Sequence, residues 1–199
     1  MRRATITRKS KETNIAVSLN LDGSGRASVK TGIPFLDHML TLLGTHGIFD
    51  LTVKASGDLD VDLHHTNEDI GLVLGQAFDQ ALKDRKGITR FGLAYVPMDE
   101  ALARVVLDIS GRPKLVFKDE LGGRSKRLSS STSYSWGDAE HFLESFVRTA
   151  KITLHIDVLA GSDFHHTCEA IFKALGRALE QATRLHPRVK GVPSSKGQL

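Results

Sequence analysis

Apolar and polar positions alternate from residue 15 to residue 21, the two-residue period of a strand with one buried face. A Gly-Ser-Gly turn at 23–25 follows, and 27–30 is expected to return as the second strand of a hairpin. The period then changes. From Pro34, apolar residues fall at 35, 36, 39, 40 and 43, the spacing of one helix face, and Gly44 and Gly47 are expected to end that helix. Residues 50–55 predict a third strand and 58–62 a fourth. Residues 64–82 read as a second helix, with Ile70, Val73, Leu74, Ala77, Phe78 and Ala81 on its apolar stripe. The same order returns later: strands at 104–109 and 114–117, a helix at 139–150, a strand at 153–158 and a helix at 165–185. Residues 122–136, rich in Ser, Gly, Arg and Lys, predict a mobile insertion, and 187–199 an irregular tail.

The recurrence is an internal duplication. HHTNEDIGLVLGQAFDQA, from His64, aligns without gaps on HHTCEAIFKALGRALEQA, from His165, with ten of 18 positions identical. Upstream, His38 falls over His141, and residues 17–23 over 105–111. Two copies are too few for a solenoid. The expected fold is therefore α+β: two similar units, each a mostly antiparallel four-stranded sheet with helices on one face. The expected boundaries are 1–92, 93–186 and a basic tail at 187–199.

Composition narrows the function classes. The chain has 199 residues, 40% hydrophobic and 25% charged, which is enough for a sizeable core without disulfides. No apolar run reaches the ~18 residues of a membrane span, and no apolar stretch follows Arg2 and Arg3 as in a signal peptide. A single cysteine, Cys168, excludes a disulfide framework and a thiolate zinc finger, so a reducing, cytoplasmic setting is expected. The net charge is +4, and Arg184, Arg188, Lys190 and Lys196 crowd the tail. That bias points to an anionic partner. Without aromatic–basic interleaving or a reader motif, a small phosphorylated molecule fits better than nucleic acid.

The chemistry is concentrated in His-His-x-x-Glu, which occurs twice: His64, His65 and Glu68, then His165, His166 and Glu169. Residues i and i+4 share a helix face, so His64 with Glu68, and His165 with Glu169, can hold one ion each. The neighbouring histidine points about 100° away, which directs His65 and His166 to a second ion. Imidazole with carboxylate suits Mn, Fe, Co, Ni or Zn. The motif is not the HExxH of zinc proteases. Cys168 lies inside one copy, but Asn67 holds its place in the other, so it is expected to be a bystander. His155 and His186 are expected to be structural or exposed, and His46 is open between a site and a turn.

Several stretches together resemble the imidazoleglycerol-phosphate dehydratase family: Glu12-Thr13-Asn14, GIPFLDHML from Gly32, HHTNED from His64, SGRP from Ser110, HHTCEAIFKA from His165 and PSSKG from Pro193. They span nearly the whole chain in the family's order, and the form without the phosphatase domain fused to some members is expected. The resemblance implies a duplicated sheet-plus-helix fold, a 24-subunit homo-oligomer, two manganese ions per active site, and sites built between subunits. One partition of ligands pairs His64 and Glu68 with His141 and His166, and His165 and Glu169 with His38 and His65.

The reaction implied is loss of water from imidazole glycerol phosphate to give imidazole acetol phosphate, in histidine biosynthesis. The carbon-bound proton is not acidic. A metal on an imidazole nitrogen can stabilise the imidazolate, so that hydroxide leaves as a diazafulvene-like species forms. Glu12 is the candidate for proton transfer and substrate contact; Glu169 is placed at the catalytic centre as well as on the metal, although a carboxylate occupied as a ligand is a poorer base. The phosphate is assigned to Arg90, Arg112, Lys173, Ser194 and Lys196 as charge-assisted donors. Two alternatives stand beside this reading: a two-metal phosphoester hydrolase, and a metal-storage scaffold.

Overall fold

The computed structural model describes residues 1–119, 130 and 132–199; most of the expected insertion at 122–136 lies outside them. Strands β1 (Arg3–Lys9), β2 (Thr13–Asn20) and β3 (Ala27–Lys30) lead into helix α1 (Pro34–His46), strand β4 (Asp50–Gly57) and helix α2 (His64–Leu82). The second half repeats the series: β5 (Phe91–Met98), β6 (Ala101–Asp108), β7 (Lys114–Asp119), α3 (Trp136–Ala150), β8 (Thr153–Ala160) and α4 (Phe164–Thr183). The link between the halves is 83–90, since β5 starts at Phe91, just ahead of the expected 92/93 boundary.

Each half builds a four-stranded sheet, in the orders β1-β2-β4-β3 and β5-β6-β8-β7. In β2, Ile15, Val17 and Leu19 are buried while Asn14 and Ser18 face out, as the alternation predicts. Residues 27–30 form the predicted strand but not the predicted hairpin. β3 runs parallel to β4 at the far edge, with Ala27 opposite Leu51. Parallel neighbours need a crossover, and α1 supplies it. The carboxylate of Asp50, at the start of β4, holds the β2–β3 loop by accepting the Ser24 backbone N–H (2.9 Å).

The fourth strand of the first sheet is also not where the pattern put it, and the pattern placed none in the second. Residues 58–62 form a turn, and their acids serve the start of α2: Asp62 accepts the His64 N–H at 2.7 Å. β1 and β5 supply the missing strands, pairing antiparallel with β2 and β6. Both lie on sheet edges. Edge position explains why Pro97 is tolerated in β5, and why β1, with only Ala4 buried, shows little apolar alternation. Gly44 lies inside α1, which continues to His46 and is capped by Gly47. At the described end of the insertion, Tyr134 and Trp136 are buried and Ser135 forms a capping box with Asp138.

Helices α1 and α2 cover one face of the first sheet, α3 and α4 one face of the second, and the two helical layers meet in the middle. Across that middle, α2 packs on α3 and α4 on α1. The contacts are repeat-related to the residue. A Cβ on Gly75 would lie 2.4 Å from the Phe146 carbonyl oxygen and 2.8 Å from the Ala150 nitrogen. A Cβ on Gly176 would lie 2.6 Å from the Leu43 oxygen and 2.9 Å from the Gly47 nitrogen. Gly75 and Gly176 are equivalent positions, as are Leu43 and Phe146 when His38 is set on His141. Only a residue without a side chain lets these backbones approach so closely. Among the described residues no helix is long and apolar enough to cross a membrane.

Gly75→Ala and Gly176→Ala each gain about 1 kcal/mol of helix propensity but push backbone against backbone. Overpacking of this kind costs about 1–3 kcal/mol or more, so each variant is expected to melt below the parent in a thermal scan; an unchanged or raised midpoint contradicts the close packing.

Candidate metal centre

The helix starts that carry the duplicated motif are held by nearby acids. Asp163 caps α4 by accepting the His166 N–H (2.9 Å), as Asp62 serves α2. With the first turn set, His64 and Glu68 lie on one face of α2 and His165 and Glu169 on one face of α4. Packing of α2 on α3 adds His141 to the first pair, and packing of α4 on α1 adds His38 to the second. Two triads result, His64–Glu68–His141 and His38–His165–Glu169, and in each the possible ligand atoms lie within 4.8 Å of one another. The His64 and His141 rings stack at 4.3 Å, and those of His38 and His165 stand 5.3 Å apart.

The triads differ in their electrostatics. Glu169 Oε1 is 2.8 Å from His38 Nε2 and 2.9 Å from His165 Nε2, while Oε2 accepts from Lys173 Nζ at 2.5 Å. Burial pushes this carboxyl up, but the hydrogen bonds from Lys173, His38 and His165 together outweigh it and bring it down to about 2. Glu169 is therefore a fixed anion. Glu68 is more exposed and pairs with Arg148 of α3 at 2.7 Å. Two imidazoles and a carboxylate, converging from two helices and open on one side, are a donor set that a divalent transition ion accepts.

His65 and His166 stand outside the triads, as the helix geometry anticipates. Nδ1 of His65 is 2.9 Å from Asp58 and 3.9 Å from Glu12; Nδ1 of His166 is 2.9 Å from Glu100. Each expected four-ligand set is thus three-quarters assembled within the chain, and its fourth histidine is not brought to it. Glu12 sits in the β1–β2 turn, where Ser10 Oγ accepts its backbone N–H (3.1 Å). Asp69, buried one residue after Glu68, ties that hairpin to α2 by accepting from Thr13 Oγ1 (2.5 Å) and Arg8 Nε (2.8 Å). Nothing in the residue spacing singles out Asp58, Asp69 or Arg148, which enter through tertiary contact; Glu100 is marked only by its repeat equivalence to Glu12.

Of the residues assigned to phosphate, only Lys173 adjoins a triad. Arg90 lies at the other end of α4, its backbone N–H donating to the Ala182 carbonyl. Its guanidinium is bidentate to Asp108 (2.6 and 3.0 Å) and donates to the Pro193 carbonyl at 2.8 Å, which anchors the tail bearing Ser194 and Lys196. Arg112 is exposed on the turn after β6, where Gly111 meets the chain end at Leu199. At 1.5 Å per residue, His166 and Ala182 are about 24 Å apart along α4. Within one chain the two groups of residues stand at opposite ends of the helices.

The remaining histidines join neither triad. His46, in the last turn of α1, has its imidazole pushed down by burial and by Lys173 and Arg177. His155 is exposed on β8, and the His186 N–H donates to Gly87. Cys168 is buried, which pushes its thiol up, and it belongs to neither triad.

Comparison with known proteins points to one family. The family model described as imidazoleglycerol-phosphate dehydratase matches residues 31–179. Proteins of that name from Pelobacter propionicus and Thermoanaerobacter pseudethanolicus are 51% and 52% identical over 198 and 199 residues, covering 100% of this chain and 99% and 100% of theirs. The crystal structure of imidazoleglycerol-phosphate dehydratase from Staphylococcus aureus superposes with a TM-score of 0.78 at 39% identity, covering 92% of this chain and 99% of that one. That of the Pyrococcus furiosus protein, in complex with (S)-C348, gives 0.80 at 35%, covering 98% and 100%. With the duplicated sheets and both triads in place, the chain belongs to the imidazoleglycerol-phosphate dehydratase family.

Proposed function

We propose that the protein is a manganese-dependent hydro-lyase that removes water from imidazole glycerol phosphate, giving imidazole acetol phosphate in histidine biosynthesis. The observation that carries this reading is the pair of imidazole–carboxylate triads, in a chain whose relatives bear that enzyme's name. His64, Glu68 and His141 would hold one ion and His38, His165 and Glu169 the other, with His65 and His166 as the remaining ligands. When bound, the ions supply Lewis acidity at an imidazole nitrogen, so that the ring can accept electrons as the C–H and C–OH bonds break.

The chain's own side chains divide the rest of the work. Lys173 keeps Glu169 ionised, which suits it to ligation rather than to proton transfer. Glu12 is more than half exposed and sits beside His65, so its carboxylate is available to take the carbon-bound proton. Arg112 and Lys196 are exposed charges suited to the phosphate, and Arg90 contributes by holding the Ser194–Lys196 segment through the Pro193 carbonyl.

Assembly belongs to the same proposal. The distance along α4 exceeds what a three-carbon chain with an imidazole and a phosphate can bridge, so metal and phosphate residues would meet between chains. The open face of the second sheet supports association. Phe91, Leu93, Tyr95 and Val106 are exposed there, whereas the first sheet presents Thr5, Ser18 and Lys54. An apolar face of this kind marks a protein interface, and we assign it to a homo-oligomer, 24 chains in the complete form. A cytoplasmic setting suits the single unpaired thiol.

Incubation with imidazole glycerol phosphate tests the reaction. Manganese-loaded protein is expected to form a ketone or enol product absorbing in the ultraviolet, with the phosphate retained, and metal-stripped protein none. Release of inorganic phosphate would make it a hydrolase, and no product with manganese present would overturn the reading. Glu12→Gln is expected to keep bound manganese and lose about 10²–10⁴-fold in kcat; parent-like turnover removes Glu12 from the proton path. Leu93→Glu is expected to lower the assembly mass in light scattering, and an unaltered mass places the interface elsewhere.

A further inference from the structure

Glu12 and Glu100 occupy the same place in the two halves. Setting the buried residues Ile15, Val17 and Leu19 of β2 on Ala103, Val105 and Leu107 of β6 puts Glu12 on Glu100, each in the turn of its half's first hairpin. Each also stands beside the second histidine of its half's motif, but they hold it differently. Glu100 Oε2 lies 2.9 Å from His166 Nδ1, and its Oε1 accepts the backbone N–H groups of Ser162 (3.2 Å) and Asp163 (3.0 Å). Both oxygens are engaged, and the bonds run to the loop that starts α4. Glu12 reaches only to 3.9 Å of His65 Nδ1, and its carboxylate accepts no hydrogen bond among the described residues. In the first half the contact belongs instead to Asp58, just after β4, whose Oδ2 is 2.9 Å from His65 Nδ1.

An ionised carboxylate only accepts, so the Nδ1 facing it must carry the hydrogen. That fixes the tautomer and leaves the Nε2 lone pair free, which is how a carboxylate orients a metal-binding histidine. We infer that Glu100 is the positioning residue for His166 and Asp58 for His65, and that Asp58, by taking over in the first half, releases Glu12 from the duty its counterpart Glu100 performs. Asp99, whose Oδ2 is 3.8 Å from His166 Nε2, flanks the nitrogen that is left free. The inference rests on the metal reading proposed above, and it gives one duplicated position two jobs: a tethered carboxylate in one half and an untethered one in the other.

Manganese titration of the intact protein, following free ion by electron paramagnetic resonance, tests it. Glu100→Ala is expected to weaken binding at one of the two ions by about 10–100-fold. Glu100→Gln, whose amide oxygen still accepts the Nδ1 hydrogen but whose NH2 then faces the Ser162 and Asp163 N–H groups, is expected to recover only part of that loss. Glu12→Ala, at the equivalent position, is expected to titrate like the parent. Parent-like binding by Glu100→Ala, an equal loss in Glu12→Ala, or a failure of Glu100→Gln to recover binding overturns the assignment while leaving the metal reading standing. A parent protein that takes up no manganese overturns both. Thermal melts accompany each titration; if Glu100→Ala is unfolded, Glu100→Gln is expected to bind manganese more weakly than Glu12→Ala, and equal binding by the two overturns the assignment.

Discussion

The close approach of helix backbones across the middle of the molecule is the constraint on which the rest depends. Gly75 against α3 and Gly176 against α1 set which helix of one half lies on which helix of the other. Both glycines stand eleven residues, about three helical turns, beyond the first histidine of their motif. Each triad draws a histidine and a glutamate from one half and a histidine from the other. The duplication has therefore not produced two self-contained sites. It has produced two interfaces, and the triad side chains converge because the interfaces are tight.

Against that near-symmetry, the charges around the two glutamates have diverged. Glu169 is buried and answered by Lys173 one turn along the same helix; the equivalent first-half position is Leu72. Glu68 is answered by Arg148 from the facing helix, where the equivalent residue is Thr45. A buried carboxylate without a counter-charge is costly. Each half answers its glutamate with a different cation from a different direction, so the two triads share their residue types and differ in their outer contacts.

How much of this was legible in the residues follows from the range of the interactions. Helices with an apolar stripe and strands with strict alternation declare themselves locally, as α2 and β2 do. The edge strands β1 and β5 do not, because one row of neighbours and little burial leave them weakly patterned. The partner of β3 depended on a parallel crossover, a tertiary choice that the run 27–30 does not record. At the site, the i, i+4 relation of His64 and Glu68 is local and was readable, and the repeat alignment tied His38 to His141. The carboxylates of Asp58 and Glu100 reach their histidines only through loop placement. The register of β2 on β6 already set Glu100 against Glu12, and that was the one signal of its importance the chain offered.

Joining both halves in one polypeptide changes how the triads respond to dilution. Two separate halves would meet at an interface governed by their concentration, and both triads would come apart as the protein thinned. Covalent linkage makes that encounter intramolecular, with an effective concentration that no dilution lowers. Three donors of each site are thereby present in every folded chain, however scarce the protein. Whatever depends on contact between chains keeps its mass-action dependence.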